Sequence, residues 1–236
     1  MTVFIGDVHG WLGRLERLLA QIDDNEEIVF LGDLVDRGPD SAQVVSMVHE
    51  LCSAGRARCV MGNHEFALVR GLGVPELNIP GDLDLLETWY AFYGGMETVE
   101  SYGCELVVDD LREAMGEDLI WMAQLPWYLQ GGNDDARWIA THSGLDKRPV
   151  ATQLAELDDI HLWWQPDSAL PAVLYAKDRI STLPDDLGND TCVVSGHVPL
   201  VVPMVTRRRI LCDTSGGRPD RLLTGVTWPK RSVIVS

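Results

Sequence analysis

Three short segments decide the predicted fold: GDVHG at positions 6–10, GDLVDRG at 32–38 and GNHE at 62–65. Each follows an apolar run that predicts a buried β-strand. Asp7 and His9 stand two residues apart, so both side chains can point the same way at the end of a strand. The carboxylate, amide and imidazole groups of the segments suit divalent metals such as manganese, iron or zinc. The sequence therefore predicts a hydrolase with a two-metal centre.

The elements between these segments predict a parallel sheet. They are strands at 2–5, 28–31 and 59–61 and helices at 11–22, 41–51 and 65–70. Strands that alternate with helices pair in parallel, and ligands collect outside the carboxyl ends of such strands. Asp33 and Asn63 fall at these ends, as do Asp7 and His9.

The second half of the chain is richer in strands. We predict helices at 84–92 and 113–123, and strands at 138–141, 192–195, 204–206, 210–212 and 222–227. The expected fold class is α/β, with two mixed β-sheets that form a sandwich flanked by helices. We predict one domain over 1–236, in which the Gly-rich and aromatic segment 71–103 is a lid or connecting segment.

Four of the six histidines follow predicted strands: His9, His64, His142 and His197. A lone histidine usually packs or lies on the surface, but four at successive strand ends favour a functional site. His49 lies in a predicted helix and His161 precedes an apolar run. We predict surface or packing roles for these two.

The composition limits the partners. Nineteen Lys and Arg against 36 Asp and Glu give a formal net charge of -17, which repels nucleic acids. Plain solubility is the preferred explanation of this acidity. The five cysteines form no close pair, so we expect no disulfide framework and no structural zinc site. No apolar run approaches the roughly 20 residues of a spanning helix. We therefore expect a cytoplasmic protein without nucleic-acid or membrane partners.

The three segments, followed by THSG at 141–144, SGH at 195–197 and CDTSG at 212–216, resemble a known set of blocks in the same order. They are similar to the phosphoprotein phosphatase branch of the calcineurin-like metallophosphoesterases, and the likeness extends from residue 6 to residue 227. The short chain resembles the small bacterial and phage-type serine/threonine phosphatases. The resemblance implies a four-layer αββα fold.

The resemblance also implies two divalent metal ions, for which we expect manganese, with iron or zinc as alternatives. One ion would bind Asp7, His9 and Asp33, and the other Asp33, Asn63, His142 and His197, with Asp33 bridging the pair. A metal-bridging hydroxide would then attack phosphorus directly, without a covalent enzyme intermediate.

Three further residues match the catalytic positions of the family. His64 resembles the general acid that protonates the leaving group, and Asp36 would orient its imidazole. Arg37 offers a planar pair of donors to phosphate oxygens, and we expect Asn63 and His64 to contact the substrate as well. A local Asp36–Arg37 ion pair and a helix-capping role for His64 are the alternatives.

One position departs from the family pattern. A second phosphate-binding arginine often follows a Leu-Trp pair, but this chain has Gln165 there. Arg179 is the candidate replacement, unless Arg37 acts alone. For the arginine run at 207–209 we predict a solvated turn between two strands.

The sequence leaves several functions open. The first is hydrolysis of phosphoserine and phosphothreonine in proteins, which Asp36 and Glu65 favour within their motifs. The alternative is a symmetrical diadenosine tetraphosphate hydrolase, and an inactive binding module of the same fold ranks below both. The expected partner is a phosphorylated protein or a small phosphoester.

Overall fold

Two five-stranded β-sheets form the centre of the structure, a computed structural model that describes residues 1–159, 164–165 and 170–236. The strands are β1 (Thr2–Ile5), β2 (Glu27–Phe30), β3 (Ala57–Cys59), β4 (Tyr128–Asn133), β5 (Ala136–Thr141), β6 (Thr191–Ser195), β7 (Met204–Val205), β8 (Arg209–Leu211), β9 (Thr224–Trp228) and β10 (Val233–Val235). The described helices are α1 (Leu12–Leu19), α2 (Ser41–Ser53), α3 (Asn63–Leu72), α4 (Leu83–Phe92), α5 (Gly95–Ser101), α6 (Val108–Met115), α7 (Glu117–Ala123), α8 (Val150–Asp158) and α9 (Ala172–Tyr175). A 3₁₀ helix lies at Pro75–Leu77.

Both sheets mix parallel and antiparallel pairs, as the sequence predicts. The first has the order β10-β9-β1-β2-β3, in which β1, β2 and β3 are parallel and β9 pairs antiparallel with β1 and β10. The second has the order β4-β5-β6-β8-β7, with β5, β6 and β8 parallel and an antiparallel strand at each edge. Parallel strands end at one edge of a sheet, so the loops that follow them meet there.

Alternating side chains of the strands fill the space between the sheets. Phe4, Val29 and Leu31 of the first sheet are buried against the second. The ring of Phe4 meets that of Trp138 edge-on, with 5.1 Å between centroids. The opposite face of β1, including Ile5, packs against the helices. This two-sided burial explains the apolar runs in the sequence and confirms the sandwich flanked by helices.

Several predicted elements differ from the structure. The predicted helix at 113–123 covers the end of α6 and the whole of α7, two helices that are separated at Gly116, where φ is +50°. The strands β4 and β10 were not predicted, because most of their residues face solvent at sheet edges and lack a clear apolar pattern. Only Arg207 and Arg208 lie in the predicted turn, whereas Arg209 begins β8, is buried and donates to Ser195 Oγ at 2.7 Å.

The segment 71–103 contains α4 and α5, which pack against α3 and α2 respectively. Its predicted role as a lid stays a prediction. His49 stacks on Trp121 with 4.8 Å between ring centroids, whereas His161 lies outside the described residues. No described helix combines the length and apolar character needed to cross a membrane.

Candidate metal centre

The loops after the parallel strands of both sheets converge on one cavity of about 320 Å³. Its lining includes Asp7, Asp33, Arg37, Asn63, His64 and His197. Asp7 follows β1, Asp33 and Arg37 follow β2, and Asn63 and His64 begin α3 directly after β3. His197 comes from the second sheet, after β6. The cavity therefore draws on both sheets at the edge that the sequence predicts.

Strained backbone conformations concentrate at this cavity. Non-glycine residues rarely adopt positive φ, because their Cβ atom crowds the backbone there. Seven described residues other than glycine do so, and five of them are predicted site residues: His9 (51°), Asp33 (54°), Asp36 (74°), Arg37 (69°) and His197 (66°). Such strain persists only where the surrounding contacts enforce it.

Glu65 supplies those contacts for the loop after β2. Its Oε1 accepts the backbone N–H groups of Leu34 (2.7 Å) and Val35 (3.2 Å), and its Oε2 accepts those of Asp33 (2.8 Å) and Gly62 (3.1 Å). Burial raises the pKa of this carboxyl to about 7, and the N–H donors oppose the shift. In the sequence, Glu65 is notable only as part of the GNHE segment. In the structure, its fully buried carboxylate holds the backbone of the loop after β2 in place.

Four predicted ligands bring acceptor atoms together. Asn63 Oδ1 lies 2.9 Å from both His142 Nε2 and His197 Nδ1, and these two nitrogens are 3.1 Å apart. His142 Nε2 is also 3.4 Å from Asp33 Oδ1. His142 donates its Nδ1 proton to Leu31 O at 2.6 Å, which directs its Nε2 towards the other three side chains. Imidazole, carboxylate and amide groups that converge in this way fit a bound cation.

A second group of acceptors lies on the other side of Asp33. His9 Nε2 and His64 Nε2 lie 3.6 Å and 3.7 Å from Asp33 Oδ2. His9 donates Nδ1–H to Val35 O at 2.9 Å, which again directs its Nε2 to the site. The candidate ligand atoms of His9, Asp33 and His64 all lie within 4.8 Å of one another, whereas Asp7 is outside this group. Asp33 is the member that both groups share.

Several buried carboxylates at the site would be stabilised in their charged form by a bound cation. Burial, Asp213 and Asp33 raise the pKa of Asp7 well above its usual value, although both Asp7 oxygens accept the His197 backbone N–H at 3.1 Å. Burial also opposes ionisation of Asp33, but the neighbouring His142 and His64 hold its pKa well below the usual value. Asp213 Oδ2 is buried without a hydrogen-bond partner in the described structure. Divalent cations would satisfy these groups.

Asp213 was not predicted as a site residue, although its CDTSG segment supports the resemblance. The residue follows β8, whose end lies beside the end of its parallel neighbour β6 in the second sheet. Position at a parallel strand end was therefore the available signal.

The three predicted catalytic residues lie in contact. His64 Nδ1 is 2.6 Å from Asp36 Oδ2. Arg37 approaches His9 Nε2 at 2.8 Å and His64 Nε2 at 3.0 Å, and donates to Gly216 O at 2.9 Å. Burial lowers the pKa of His64 to about 3, an effect that Asp33 opposes and Arg37 reinforces. The imidazole thus has one nitrogen on Asp36 and the other facing the cavity.

Aromatic residues and a lysine form the rim of the cavity. Phe92 is 82% exposed, and Tyr93 lies edge-on to the His64 ring with 4.9 Å between centroids. Tyr175 hydroxyl approaches Asn63 O at 3.5 Å, and the exposed Lys177 lies beside it in sequence and on the cavity. None of these four residues is among the site residues that the sequence predicts.

Arg179 is not brought to this cavity. Its Nη1 donates to Gly144 O at 2.7 Å, its Nη2 lies 3.5 Å from Asp146 Oδ2, and it lines a separate, smaller cavity. The candidate replacement for the missing arginine therefore supports the loop after His142. Gln165 is exposed and is absent from the residues that line the metal-site cavity. Among the described residues, Arg37 is the only arginine on that lining.

Comparison with known proteins gives a consistent family. The family model of the calcineurin-like phosphoesterases matches residues 2–221. An asymmetrical bis(5′-nucleosyl)-tetraphosphatase of Oceanobacillus iheyensis is 25% identical over 98% of this chain and 89% of its own length. A symmetrical bis(5′-nucleosyl)-tetraphosphatase of Ralstonia nicotianae is 43% identical over 34% of this chain and 29% of its own length. The crystal structure of a protein described as a diadenosine tetraphosphatase shares the fold, with a TM-score of 0.62, 20% identity and coverage of 100% and 92% of the two chains.

Proposed function

Since the chain belongs to the calcineurin-like phosphoesterase family, we propose that it is a metal-dependent hydrolase of dinucleoside tetraphosphates. The sequence predicts a symmetrical diadenosine tetraphosphate hydrolase only as the alternative to a protein phosphatase. The proposal prefers this alternative and widens it to asymmetrical cleavage, because tetraphosphatases of both kinds are among the relatives. One observation carries the proposal: the cavity of the predicted ligands opens beside the exposed ring of Phe92. A nucleobase can stack on such a ring while its phosphates extend towards Lys177 and Arg37.

Two groups of side chains would hold the metal ions. They are Asp7, His9 and Asp33 for one ion and Asp33, Asn63, His142 and His197 for the other. For the second ion, the convergence of Asp33, His142 and His197 supports this assignment. For the first ion, the support is that His9 and Asp33 converge, with His64 beside them, and that the buried carboxylate of Asp7 lies on the same cavity. When bound, the ions neutralise phosphate charge and activate water for attack on phosphorus. Manganese is the first ion to test, because much of the ligand set is carboxylate and amide oxygen.

The remaining residues would act in the cleavage of the phosphate bond. Arg37 presents two N–H groups to the oxygens of the attacked phosphate. The oxygen of water bonds to phosphorus and the water releases a proton to solvent. The bond from phosphorus to the leaving oxygen breaks, and His64 Nε2 gives that oxygen a proton. Asp36 accepts a hydrogen bond from His64 Nδ1–H, which keeps the Nε2 of His64 on the cavity side. The negative charge of the substrate favours the protonated imidazole and so counteracts the effect of burial on its pKa.

Product analysis with diadenosine tetraphosphate and manganese(II) tests the proposal. Two ADP molecules indicate symmetrical cleavage, whereas ATP and AMP indicate asymmetrical cleavage, and either result supports it. The control is His64→Asn, for which we expect a loss of about 10²- to 10⁴-fold in kcat if His64 is the general acid. Intact tetraphosphate after prolonged incubation with the metal-loaded enzyme would contradict the proposal.

Protein dephosphorylation remains the second candidate, favoured by one observation. The net charge of -17 opposes a substrate with four phosphates more strongly than one with a single phosphate. A phosphothreonine peptide belongs in the same assay for this reason. Phosphate release from the peptide, with the tetraphosphate left intact, would establish the second candidate in place of the first.

A further inference from the structure

We propose that Trp89 and Thr98 are positioning residues for catalysis, which hold Asp36 in the orientation that aims His64 at the leaving group. The inference rests on the general-acid role proposed for His64. It assigns to α4 and α5, within the predicted lid segment, a direct part in arranging the catalytic pair.

The Asp36 carboxylate is completely buried and surrounded by three donors. Trp89 Nε1 donates to Oδ2 at 2.8 Å, and the same oxygen lies 2.6 Å from His64 Nδ1. Thr98 Oγ1 donates to Oδ1 at 2.6 Å. A carboxylate can rotate about its last bond, but these donors on both oxygens fix its plane. The oxygen that receives His64 is thereby fixed as well.

Thr98 of α5 and Gly94, the residue directly before α5, hold the backbone beside the carboxylate. Asp36 donates its backbone N–H to Thr98 Oγ1 at 2.9 Å, and Arg37 donates its own to Gly94 O at 3.1 Å. Both residues have positive φ, at 74° and 69°, which needs such external support. The Thr98 hydroxyl therefore binds both the backbone N–H and the side-chain carboxylate of Asp36.

Trp89 itself has little freedom to move. The indole is fully buried, and a Cβ atom on Gly95 would lie only 2.7 Å from its ring. The ring thus packs directly on the backbone at the start of α5. Its N–H has a fixed direction, towards Asp36, which distinguishes it from a tryptophan that only fills space.

Trp89→Phe is the main test, because it keeps most of the apolar ring and removes the N–H donor. Trp138→Phe is the matched control: Trp138 is 1% exposed, and its Nε1 has no hydrogen-bond partner among the described residues. In metal-loaded enzyme with diadenosine tetraphosphate, we expect Trp89→Phe to lower kcat by about 10- to 100-fold. Its KM should stay within about twofold of the wild-type value, as should both constants of Trp138→Phe, because none of these changes touches the bound substrate.

Nuclear magnetic resonance of the zinc-loaded, ¹⁵N-histidine-labelled protein gives the second readout. The His64 Nδ1–H resonance, assigned by its absence in His64→Asn, should shift and exchange faster with solvent in Trp89→Phe, and stay unchanged in Trp138→Phe. Should Trp89→Phe fail to fold by circular dichroism, Thr98→Val removes the other donor at almost constant volume and takes its place.

Two results would overturn the inference. One is an unchanged kcat together with an unchanged His64 resonance in the folded variant. The other is a lower kcat with an unaltered resonance, since the effect would then bypass His64. Failure of the wild-type enzyme to cleave the tetraphosphate would refute the proposed function instead, and the resonance would still decide whether Trp89 positions His64.

Discussion

Replacing Glu65 with glutamine should destabilise the loop after β2 and weaken metal binding together. Glu65 is fully buried, and its two oxygens accept four backbone N–H groups. Glutamine keeps one acceptor oxygen and puts an NH₂ group in place of the other. Two backbone donors would then face another donor, and one of them belongs to Asp33 or to its neighbour Leu34, whichever way the amide turns.

The size of the effect follows from the lost hydrogen bonds. A hydrogen bond to a charged group contributes about 1.5–3 kcal/mol, so two of them amount to about 3–6 kcal/mol. In a chain of this length, a loss of about 3 kcal/mol lowers the melting temperature by roughly 6–12 °C. Asp33, held at a φ of 54° beside Glu65, should lose its fixed direction at the same time. Manganese affinity should therefore fall with stability.

Urea denaturation at pH 8 measures the first effect, and isothermal titration with manganese(II) measures the second. That pH is above the raised pKa of about 7, so the wild-type carboxyl is mostly charged. The control is Glu27→Gln, which removes a half-exposed carboxylate paired with Arg58 and should cost less than about 1 kcal/mol. If Glu65→Gln matched this control in both measurements, the assigned role of Glu65 would be refuted.

Three further outcomes are expected. Phe92→Ala should raise KM for diadenosine tetraphosphate by about 5- to 150-fold, since stacking on one base contributes about 1–3 kcal/mol. The same change should leave KM for a phosphothreonine peptide unchanged. Equal shifts of the two KM values would show that no nucleobase stacks on Phe92. Leu31→Ala, at a fully buried position between the sheets, should lower the free energy of unfolding by about 2–5 kcal/mol in urea titrations; a loss below 1 kcal/mol would contradict the packing. Chelation should abolish hydrolysis and lower the melting temperature, and manganese at 100 times its dissociation constant should restore about 2.7 kcal/mol; an activity that survives exhaustive chelation would exclude the metal mechanism.

Strand-end residues could be predicted because their signal is local. Asp7 and His9 follow an apolar run by a few residues, and a parallel sheet brings every such strand end to one edge. The same reasoning assigned His142 and His197 to strand ends in the second half of the chain. Only the family resemblance grouped them with Asn63, from which the chain separates them by 79 and 134 residues. Strand periodicity and parallel pairing were therefore sufficient for the strand ends, but not for these contacts between the two sheets.

The partners of the catalytic pair could not be found in this way. Trp89 and Thr98 lie 53 and 62 residues from Asp36, on helices whose packing no local pattern specifies. The position of Arg179 away from the metal-site cavity could not be predicted for a related reason: an arginine near a motif can bind either substrate or a backbone carbonyl. Here it binds Gly144 O, which its position in the sequence does not reveal.

The structure also removes the argument that favoured protein substrates. In the sequence, Asp36 and Glu65 favour a protein substrate because they are typical of one branch of the family. The Asp36 carboxylate binds His64, Trp89 and Thr98. The Glu65 carboxylate accepts hydrogen bonds from backbone N–H groups. Neither side chain is therefore directed at the part of a substrate that distinguishes a peptide from a nucleotide.

Under the proposed function, substrate choice would instead depend on the rim, where Phe92 ends α4 and Lys177 follows α9. These helices lie outside the strand-end loops that carry the predicted ligands. The rim can therefore vary while the reaction centre stays intact. A family resemblance based on strand-end motifs consequently predicts the chemistry well and the substrate poorly, and the contrasting KM values expected for Phe92→Ala address the part that the motifs leave open.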